Sequence, residues 1–143
     1  MLISAGKAEM ATKTFLDTGV LIVGWRGETG RKLKALTILS DPQREFVCSP
    51  FVKLELLPKP VWYRNQTEVE FYEEYFLKVG EWVEDFEQMY DEALKVGSQY
   101  GLGAMDALHI AAALIASADE FITAERPNSP LSRVTGLAVK TIF

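Results

Sequence analysis

The chain has 143 residues, of which 48% are hydrophobic, and its formal net charge is −5 at pH 7. This length predicts one domain with a substantial core. The negative charge excludes a surface that binds nucleic acid over its whole extent, so any polyanion must be held by local basic residues, by metal ions, or by both. No stretch supplies the roughly 18 uninterrupted apolar residues of a membrane span. Residues 1–11 also lack the apolar core of a signal peptide.

The chain has one cysteine, Cys48, and one histidine, His109. A lone cysteine excludes an intramolecular disulfide and a cysteine-based metal site. Together with the missing signal core, it indicates the cytoplasm. A Ser-His-Asp hydrolase triad would depend entirely on His109.

Hydrophobic periodicity and turn residues predict strands that alternate with helices. Residues 1–12 are expected to form an N-terminal extension, and residues 13–143 a single domain. The predicted strands are Lys13–Asp17, Glu45–Cys48, Trp82–Val83, Glu120–Thr123 and Ala138–Ile142. The predicted helices are Val20–Trp25, Thr29–Leu39, Phe51–Leu57, Glu68–Lys78, Asp85–Tyr100 and Ala104–Ser117, with loops at 61–67 and 124–132. This alternation indicates an α/β fold with a parallel sheet.

The first predicted strand delivers a carboxylate, Asp17, where its apolar run ends. Thr18 and Gly19 then turn the chain into a second apolar segment. In an open parallel sheet, ligands bind outside the carboxyl ends of the strands, so Asp17 is well placed to meet one. Asp17 and Thr18 can equally well cap the next helix, because both are common N-cap residues.

Three later acids recur in comparable places: Glu55 among leucines, Asp106 at the start of an apolar helix, and Glu125 after a strand. Buried unpaired charges are costly, so such acids usually have a partner, a metal ion or a place in a functional site. Four carboxylates with few cationic neighbours suit Mg²⁺ or Mn²⁺. Such an ion can activate water and neutralise the charge of a phosphodiester. Each acid taken alone can also be a helix cap, a solvated helix residue or a loop charge.

At these residues the sequence resembles the PIN-domain family, and within it the small VapC-like toxin ribonucleases. The resemblance covers roughly residues 13–143. It rests on Leu16-Asp17-Thr18, on Ser49-Pro50 through Glu55, on Met105-Asp106-Ala107-Leu108-His109-Ile110-Ala111, and on Phe121-Ile122-Thr123-Ala124-Glu125-Arg126. It implies a three-layer α/β/α sandwich with a central, mainly parallel sheet, an acidic pocket at the carboxyl ends of the strands, and divalent-metal-dependent RNA cleavage.

The resemblance also implies roles for individual residues. Asp17, Glu55 and Asp106 match the three core acids of the family, so they are expected to be catalytic and to hold Mg²⁺ or Mn²⁺. Glu125 takes the place of a fourth acid that is usually Asp, and it is expected to assist as an auxiliary ligand. Thr18 and Thr123 are expected beside the acids, where Thr123 can donate a hydrogen bond. A second departure is Gly19, which stands where the family commonly has Asn or Ser.

Other polar residues admit more than one interpretation. His109 lies one turn beyond Asp106 on the same predicted helix face. It can be a general base, but a hydrogen-bonded, half-buried histidine is the more frequent outcome. The basic residues Arg31, Lys32 and Lys34 are most simply a solvated helix face.

The segment Trp62-Tyr63-Arg64, together with Lys53 and Lys59, has the composition of an aromatic and cationic platform for single-stranded RNA. Trp62, Tyr63, Arg64 and Lys53 are therefore candidate RNA-binding residues. A contact with a partner protein, or hydrophobic cover for the sheet, would need the same residue types.

The sequence thus predicts a Mg²⁺- or Mn²⁺-dependent endoribonuclease, the toxin of a toxin-antitoxin pair. The expected partners are substrate RNA, a small antitoxin protein and a second copy of the chain. The aromatic residues Phe71, Tyr72, Tyr75 and Phe76 are the predicted dimer surface. A non-catalytic PIN module that binds RNA or protein is the alternative, left open by Gly19 and Glu125.

Overall fold

The computed structural model describes residues 11–143. The strands β1 to β5 are Thr12–Leu16, Arg44–Cys48, Glu81–Trp82, Glu120–Thr123 and Ala138–Thr141. The helices α1 to α7 are Thr18–Arg26, Thr29–Leu39, Pro50–Leu56, Pro58–Trp62, Gln66–Lys78, Phe86–Tyr100 and Ala104–Ile115, and a short 3₁₀ helix at Pro130–Arg133 precedes β5. Within residues 11–143, no helix is both long and apolar enough to cross a membrane.

The five strands form one parallel sheet in the order β3-β2-β1-β4-β5. The central strands have no solvated face: Phe15 in β1, Val47 in β2 and Phe121 in β4 are fully buried. A parallel sheet that is buried on both faces needs helices on both sides. The seven helices provide them, which confirms the predicted α/β/α sandwich. The chain moves from β1 to β2 on one side and later returns to β4 on the other, so a topological switch point lies between β1 and β4.

The helix α7 is buried more completely than a surface helix. Ala111, Ala112 and Ala113 are fully buried, and Ile110 beside them is equally inaccessible. Small side chains let α7 approach its neighbours closely. This close packing fixes the position of its first turn, which carries Asp106.

The predicted dimer surface is wrong, because the aromatic face of α5 is core. Tyr72, Tyr75 and Phe76 are 1%, 3% and 8% exposed. Tyr75 packs edge-on against Phe46 of β2, with 5.5 Å between the ring centroids. These aromatic side chains pack in the core of the same chain and not against a second copy.

The region after Glu55 is also more helical than predicted. The predicted loop at 61–67 contains the end of α4 and the start of α5, and only residues 63–65 separate the two helices. Pro58 was expected to end a helix, yet it begins α4, because proline is well tolerated at the first helical position. The predicted extension, residues 1–12, lies outside the described residues except for Ala11 and Thr12, and β1 already begins at Thr12.

At the amino end of the sheet, Glu120 is a buried charge that holds four strands together. Its carboxylate accepts hydrogen bonds from Thr14 Oγ1 of β1 at 2.6 Å, Arg44 Nε of β2 at 2.9 Å and Lys140 Nζ of β5 at 2.9 Å. Burial raises the pKa of Glu120, but these hydrogen bonds outweigh it and lower the pKa to about 2. Glu120 is therefore ionised and fully paired, which indicates a structural role.

Candidate active site

Asp17 combines the two roles that its sequence position allows. It is the N-cap of α1, and its Oδ1 accepts a hydrogen bond from the Thr18 backbone N–H at 2.9 Å. Its Oδ2 accepts a second hydrogen bond from Thr123 Oγ1 at 2.9 Å. Asp17 is only 6% exposed. The cap thus fixes the carboxylate at the carboxyl end of β1, beside β4.

Three carboxylates meet at this switch point. One oxygen each from Asp17, Asp106 and Glu125 lies within 4.8 Å of the others. Asp106 comes from the first turn of α7, and Glu125 follows β4 by two residues. Thr123 ties the group together, because its Oγ1 donates to Asp17 and accepts from the Glu125 backbone N–H at 3.1 Å.

The acids line a cavity of about 260 Å³. Its other lining residues are Thr18, Gly19, Ile22, Glu55, Thr123 and Ala124. The structure therefore brings all four predicted acids and both predicted threonines into one cavity. Three of the acids form a close group, and Glu55 lies outside it.

The cavity is unfavourable for negative charge. Burial raises the pKa of Asp106 to about 6, and the neighbouring Asp17 and Glu125 carboxylates contribute to the same increase. Burial also raises the pKa of Asp17, against the hydrogen bond from Thr123, which lowers it. No Lys or Arg side chain within residues 11–143 forms an ion pair or a hydrogen bond with these three carboxylates. No lysine or arginine of the described residues therefore pairs with these carboxylates, although the nearby His109 lowers the pKa of Asp17 and of Asp106.

Glu55 is held by a histidine. His109 Nε2 lies 2.5 Å from Glu55 Oε1, and this hydrogen bond lowers the pKa of Glu55. The hydrogen-bonded histidine was the favoured interpretation, although His109 is 1% exposed rather than half-buried. Its Nδ1 is buried without a hydrogen-bond partner among the described residues. His109 therefore positions Glu55 at the edge of the acid group.

The donor set fits a hard divalent cation. Carboxylate oxygens are the ligands that Mg²⁺ and Mn²⁺ prefer. A cation between Asp17, Asp106 and Glu125 would also relieve the repulsion that raises the pKa of Asp106. The geometry favours Glu125 over Glu55 for this group, whereas the sequence favoured Glu55.

Gly19 is explained by a close contact across the cavity. A Cβ atom built on Gly19 would lie 3.3 Å from the Cβ of Ala124, which is tighter than ordinary packing. The Asn or Ser expected at this position would press on Ala124. The absence of a side chain at position 19 therefore leaves room for the methyl group of Ala124.

Arg31 was expected on a solvated helix face, but the structure places it at the edge of this cavity. Its Nη2 donates a 2.8 Å hydrogen bond to the carbonyl oxygen of Ala124. No role was assigned to Arg126 from the sequence, although its place next to Glu125 indicates that it lies near the acids. The contact of Arg31 with Ala124 depends on tertiary structure and has no signal in the sequence.

The predicted RNA platform is only partly assembled. Trp62 and Tyr63 are 80% and 75% exposed, and Arg64 beside them has a positive φ of 56°. Lys53 points elsewhere, because its Nζ lies 4.6 Å from the ring centroid of Trp82 at the sheet edge. The RNA-contacting role of these four residues stays a prediction.

The sequence matches a known protein family. The family model described as PIN domain matches residues 14–127. No curated protein matches the sequence.

Several solved structures share the fold, among them the following three. A chain of a toxin-antitoxin complex from Klebsiella pneumoniae has a TM-score of 0.66 at 18% identity, over 91% of this chain and 98% of that one. VapBC2 from Rickettsia felis, bound to a promoter DNA fragment, has a TM-score of 0.67 at 17% identity, over 91% of this chain and 98% of that one. DNA-bound VapBC from Salmonella typhimurium has a TM-score of 0.69 at 12% identity, over 92% of this chain and 99% of that one.

Proposed function

Because this chain belongs to the PIN domain family, we propose that it is a divalent-metal-dependent endoribonuclease and the toxin of a toxin-antitoxin pair. The observation that carries the proposal is the convergence of Asp17, Asp106 and Glu125 at the switch point of the sheet. Asp17 is buried and Asp106 half-buried, and the mutually repelling charges of the three acids are suited to a metal ion.

Each residue has a defined part in this proposal. Asp17, Asp106 and Glu125 would hold Mg²⁺ or Mn²⁺, with Glu55 beside them. When bound, the ion supplies a lowered pKa for the attacking water and positive charge for the phosphate. Thr123 orients both Asp17 and the Glu125 backbone, and His109 orients Glu55.

We expect RNA cleavage by the purified protein to require a divalent ion, because no lysine or arginine is among the described residues that line the acid cavity. A panel of structured RNAs is incubated with Mn²⁺, with Mg²⁺ or with excess chelator, and the fragments are separated on denaturing gels. The Asp17→Asn protein, purified in the same way, controls for contaminating ribonuclease. Full cleavage in chelator would contradict the mechanism. RNA binding without cleavage under every condition would instead favour the non-catalytic module.

The geometry also ranks two acids. Glu125→Gln should weaken Mn²⁺ binding at least about tenfold more than Glu55→Gln, a difference of about 1.4 kcal/mol. Glu125 lies in the close group of carboxylates, whereas Glu55 is engaged by His109. Calorimetric titration of both variants with Mn²⁺ measures the difference. Equal losses of affinity would make Glu55 a ligand of the same rank.

The proposed antitoxin follows from the solved structures, which are described as toxin-antitoxin or VapBC complexes. We expect a small DNA-binding protein encoded next to this chain to bind it and to suppress cleavage. Co-expression followed by affinity purification tests the complex, and its absence would remove the toxin assignment. The cytoplasm is the compartment that this function requires, and cell fractionation would test it.

A homodimer, also part of the proposal, needs a surface other than α5. Phe86, Tyr90 and Leu94 recur every four residues on α6 and are 54%, 62% and 60% exposed. Phe86 contacts Phe51 of α3 at 5.6 Å between ring centroids, and Leu54 on α3 is 62% exposed. A groove of about 460 Å³ between α6 and α7 adjoins this stripe.

The area fits a second copy of the chain. Large apolar side chains each span roughly 150–250 Å², so the four exposed residues present on the order of 500 Å². The walls of the groove bring the surface toward the roughly 800 Å² per partner of a standard interface. The largest apolar patch of a typical monomer is about 300–600 Å² and is often functional, and the groove extends this surface beyond its four exposed residues.

Leu94→Glu should therefore convert a dimer to a monomer, because it would bury an unpaired carboxylate in the apolar interface. Leu77→Glu is the matched control, since Leu77 is 87% exposed on α5, outside this surface. Light scattering coupled to size-exclusion chromatography reports the mass. A wild-type monomer, or a dimer that survives Leu94→Glu, would contradict the assignment.

A further inference from the structure

Two guanidinium groups flank the acid cavity where β4 ends. Arg126 follows Glu125 directly, and Arg31 of α2 donates to the carbonyl oxygen of Ala124. Both lie against Phe143, with their Cζ atoms 5.1 Å (Arg31) and 5.0 Å (Arg126) from the centroid of its ring. One aromatic ring thus contacts two positive charges beside a cavity that four carboxylates line.

Most of the hydrogen-bonding capacity of these arginines is unused. A guanidinium group carries five N–H donors. Arg31 makes one hydrogen bond through Nη2, and its Nε is buried without a partner among residues 11–143. Arg126 is exposed, and its side chain makes no hydrogen bond within the same part of the chain. The guanidinium of Arg126 is therefore accessible to a ligand, whereas the Nε of Arg31 is shielded from solvent.

A second, smaller cavity lies next to Arg126. It has a volume of about 120 Å³, and hydroxyl side chains line much of it. These belong to Thr123, Ser129, Ser132 and Thr141. Thr123 lines the acid cavity as well, so the two cavities share a wall. Lys140, also in the lining, is already paired with Glu120.

A purely structural role explains only part of this arrangement. The Arg31 hydrogen bond to Ala124 fastens α2 to the end of β4. It does not account for the unpartnered Nε of Arg31 or for the unengaged donors of Arg126. Planar guanidinium groups match phosphate oxygens in bidentate geometry, and a polyanion that approaches three carboxylates needs nearby positive charge.

We infer that Arg31 and Arg126 form a phosphate-binding subsite, which holds an RNA backbone phosphate next to the one being cleaved. The inference rests on the proposed function, because an RNA strand in the acid cavity is what brings a phosphate to these residues. The two arginines are positioning residues: they align the strand and leave the chemistry to the acids.

The subsite is tested by RNA binding in a protein that does not cleave. In an Asp106→Asn background with Mn²⁺, the affinity for a fluorescent single-stranded RNA is measured by anisotropy over a range of salt concentrations. Adding Arg126→Gln should weaken binding about tenfold and reduce the slope of log K against log salt by about 0.7, the value for one phosphate contact on a single strand. Arg31→Lys, which keeps the charge but loses the planar fork, should give a smaller loss with the slope retained.

Lys34→Gln provides the matched control, because Lys34 is exposed on the same helix as Arg31. It should leave affinity and slope unchanged. Equal effects of Lys34→Gln and Arg126→Gln would mean diffuse attraction and would overturn the subsite.

Neutral methylphosphonate linkages, placed one at a time along the RNA, locate the contact. One linkage should weaken binding to the Asp106→Asn protein and have no effect once Arg126→Gln is added. If metal-dependent cleavage is observed but Arg126→Gln binds RNA normally, the subsite alone is wrong. If the protein neither binds nor cleaves RNA, the subsite and the proposed function fail together. If Arg126→Gln impairs only the binding of an antitoxin protein, the arginines are a protein contact and the subsite is overturned.

Discussion

Asp106→Asn should abolish RNA cleavage and, in chelator at pH 7, raise the free energy of unfolding by about 1–2 kcal/mol. Burial and the nearby Asp17 and Glu125 carboxylates raise the pKa of Asp106 from 3.8 to about 6. A raised pKa in the folded state means that the charged form is disfavoured there. The contribution of Asp106 to stability is therefore greatest below pH 3.8 and is lost as the pH rises through about 6. A shift of about two pKa units corresponds to about 3 kcal/mol, and partial exposure to solvent reduces the realised effect.

Urea denaturation of both proteins in chelator measures this change. At pH 5, where Asp106 of the folded wild-type protein is largely protonated, the difference should shrink. Excess Mn²⁺ should reverse the order, because the ion stabilises the protein that binds it more tightly. A variant that is clearly less stable in chelator at pH 7 would assign Asp106 to the fold and remove a central member of the metal site.

Glu120→Gln should have the opposite effect and lower the free energy of unfolding at pH 7 by about 2–3 kcal/mol. Burial opposes the charge of Glu120, but hydrogen bonds from Thr14, Arg44 and Lys140 lower its pKa from 4.5 to about 2. A lowered pKa contributes stability above pH 4.5, which is lost as the pH falls through about 2. The shift of about 2.5 units sets the scale at about 3 kcal/mol.

The same urea titrations at pH 7 and pH 3 test Glu120. The difference between wild type and Glu120→Gln should be smaller at pH 3. Glu84→Gln is the control, since Glu84 is exposed and should change stability by no more than about 0.5 kcal/mol. Cleavage per folded molecule should be unchanged in Glu120→Gln, because Glu120 lies at the end of the sheet opposite the acids. A loss of activity in the folded variant would contradict the separation of structural and catalytic carboxylates.

The sequence predicted acids that the structure brings into one cavity, whereas their relative importance as metal ligands stays a prediction. Asp17 and Asp106 lie at the ends of elements, and parallel topology brings those ends to one edge of the sheet, so their proximity was predictable. The ranking of Glu55 and Glu125 depends on which side chain His109 engages. That contact joins residues 54 positions apart and has no local signal.

The same limit applies to surfaces. The aromatic residues of α5 were expected to contact a second copy of the chain, but they pack in the core of the same chain. Arg31 was expected to be solvated, because it lies among other basic residues on a helix. In the folded chain it instead donates a hydrogen bond to Ala124. Local patterns therefore predict which face of an element is apolar or charged, whereas the arrangement of the elements decides what that face contacts.

Because Gly19 and Ala124 are in close contact, substitutions at these two positions should be designed together. A Cβ atom at position 19 would lie only 3.3 Å from that of Ala124, so a side chain there must displace its neighbour by a few tenths of an ångström. That displacement would move the backbone that carries Glu125. An asparagine introduced at position 19 should therefore be combined with Ala124→Gly, which removes the Cβ atom that it would meet. The pair of substitutions relieves the contact without a displacement of the segment that carries Glu125.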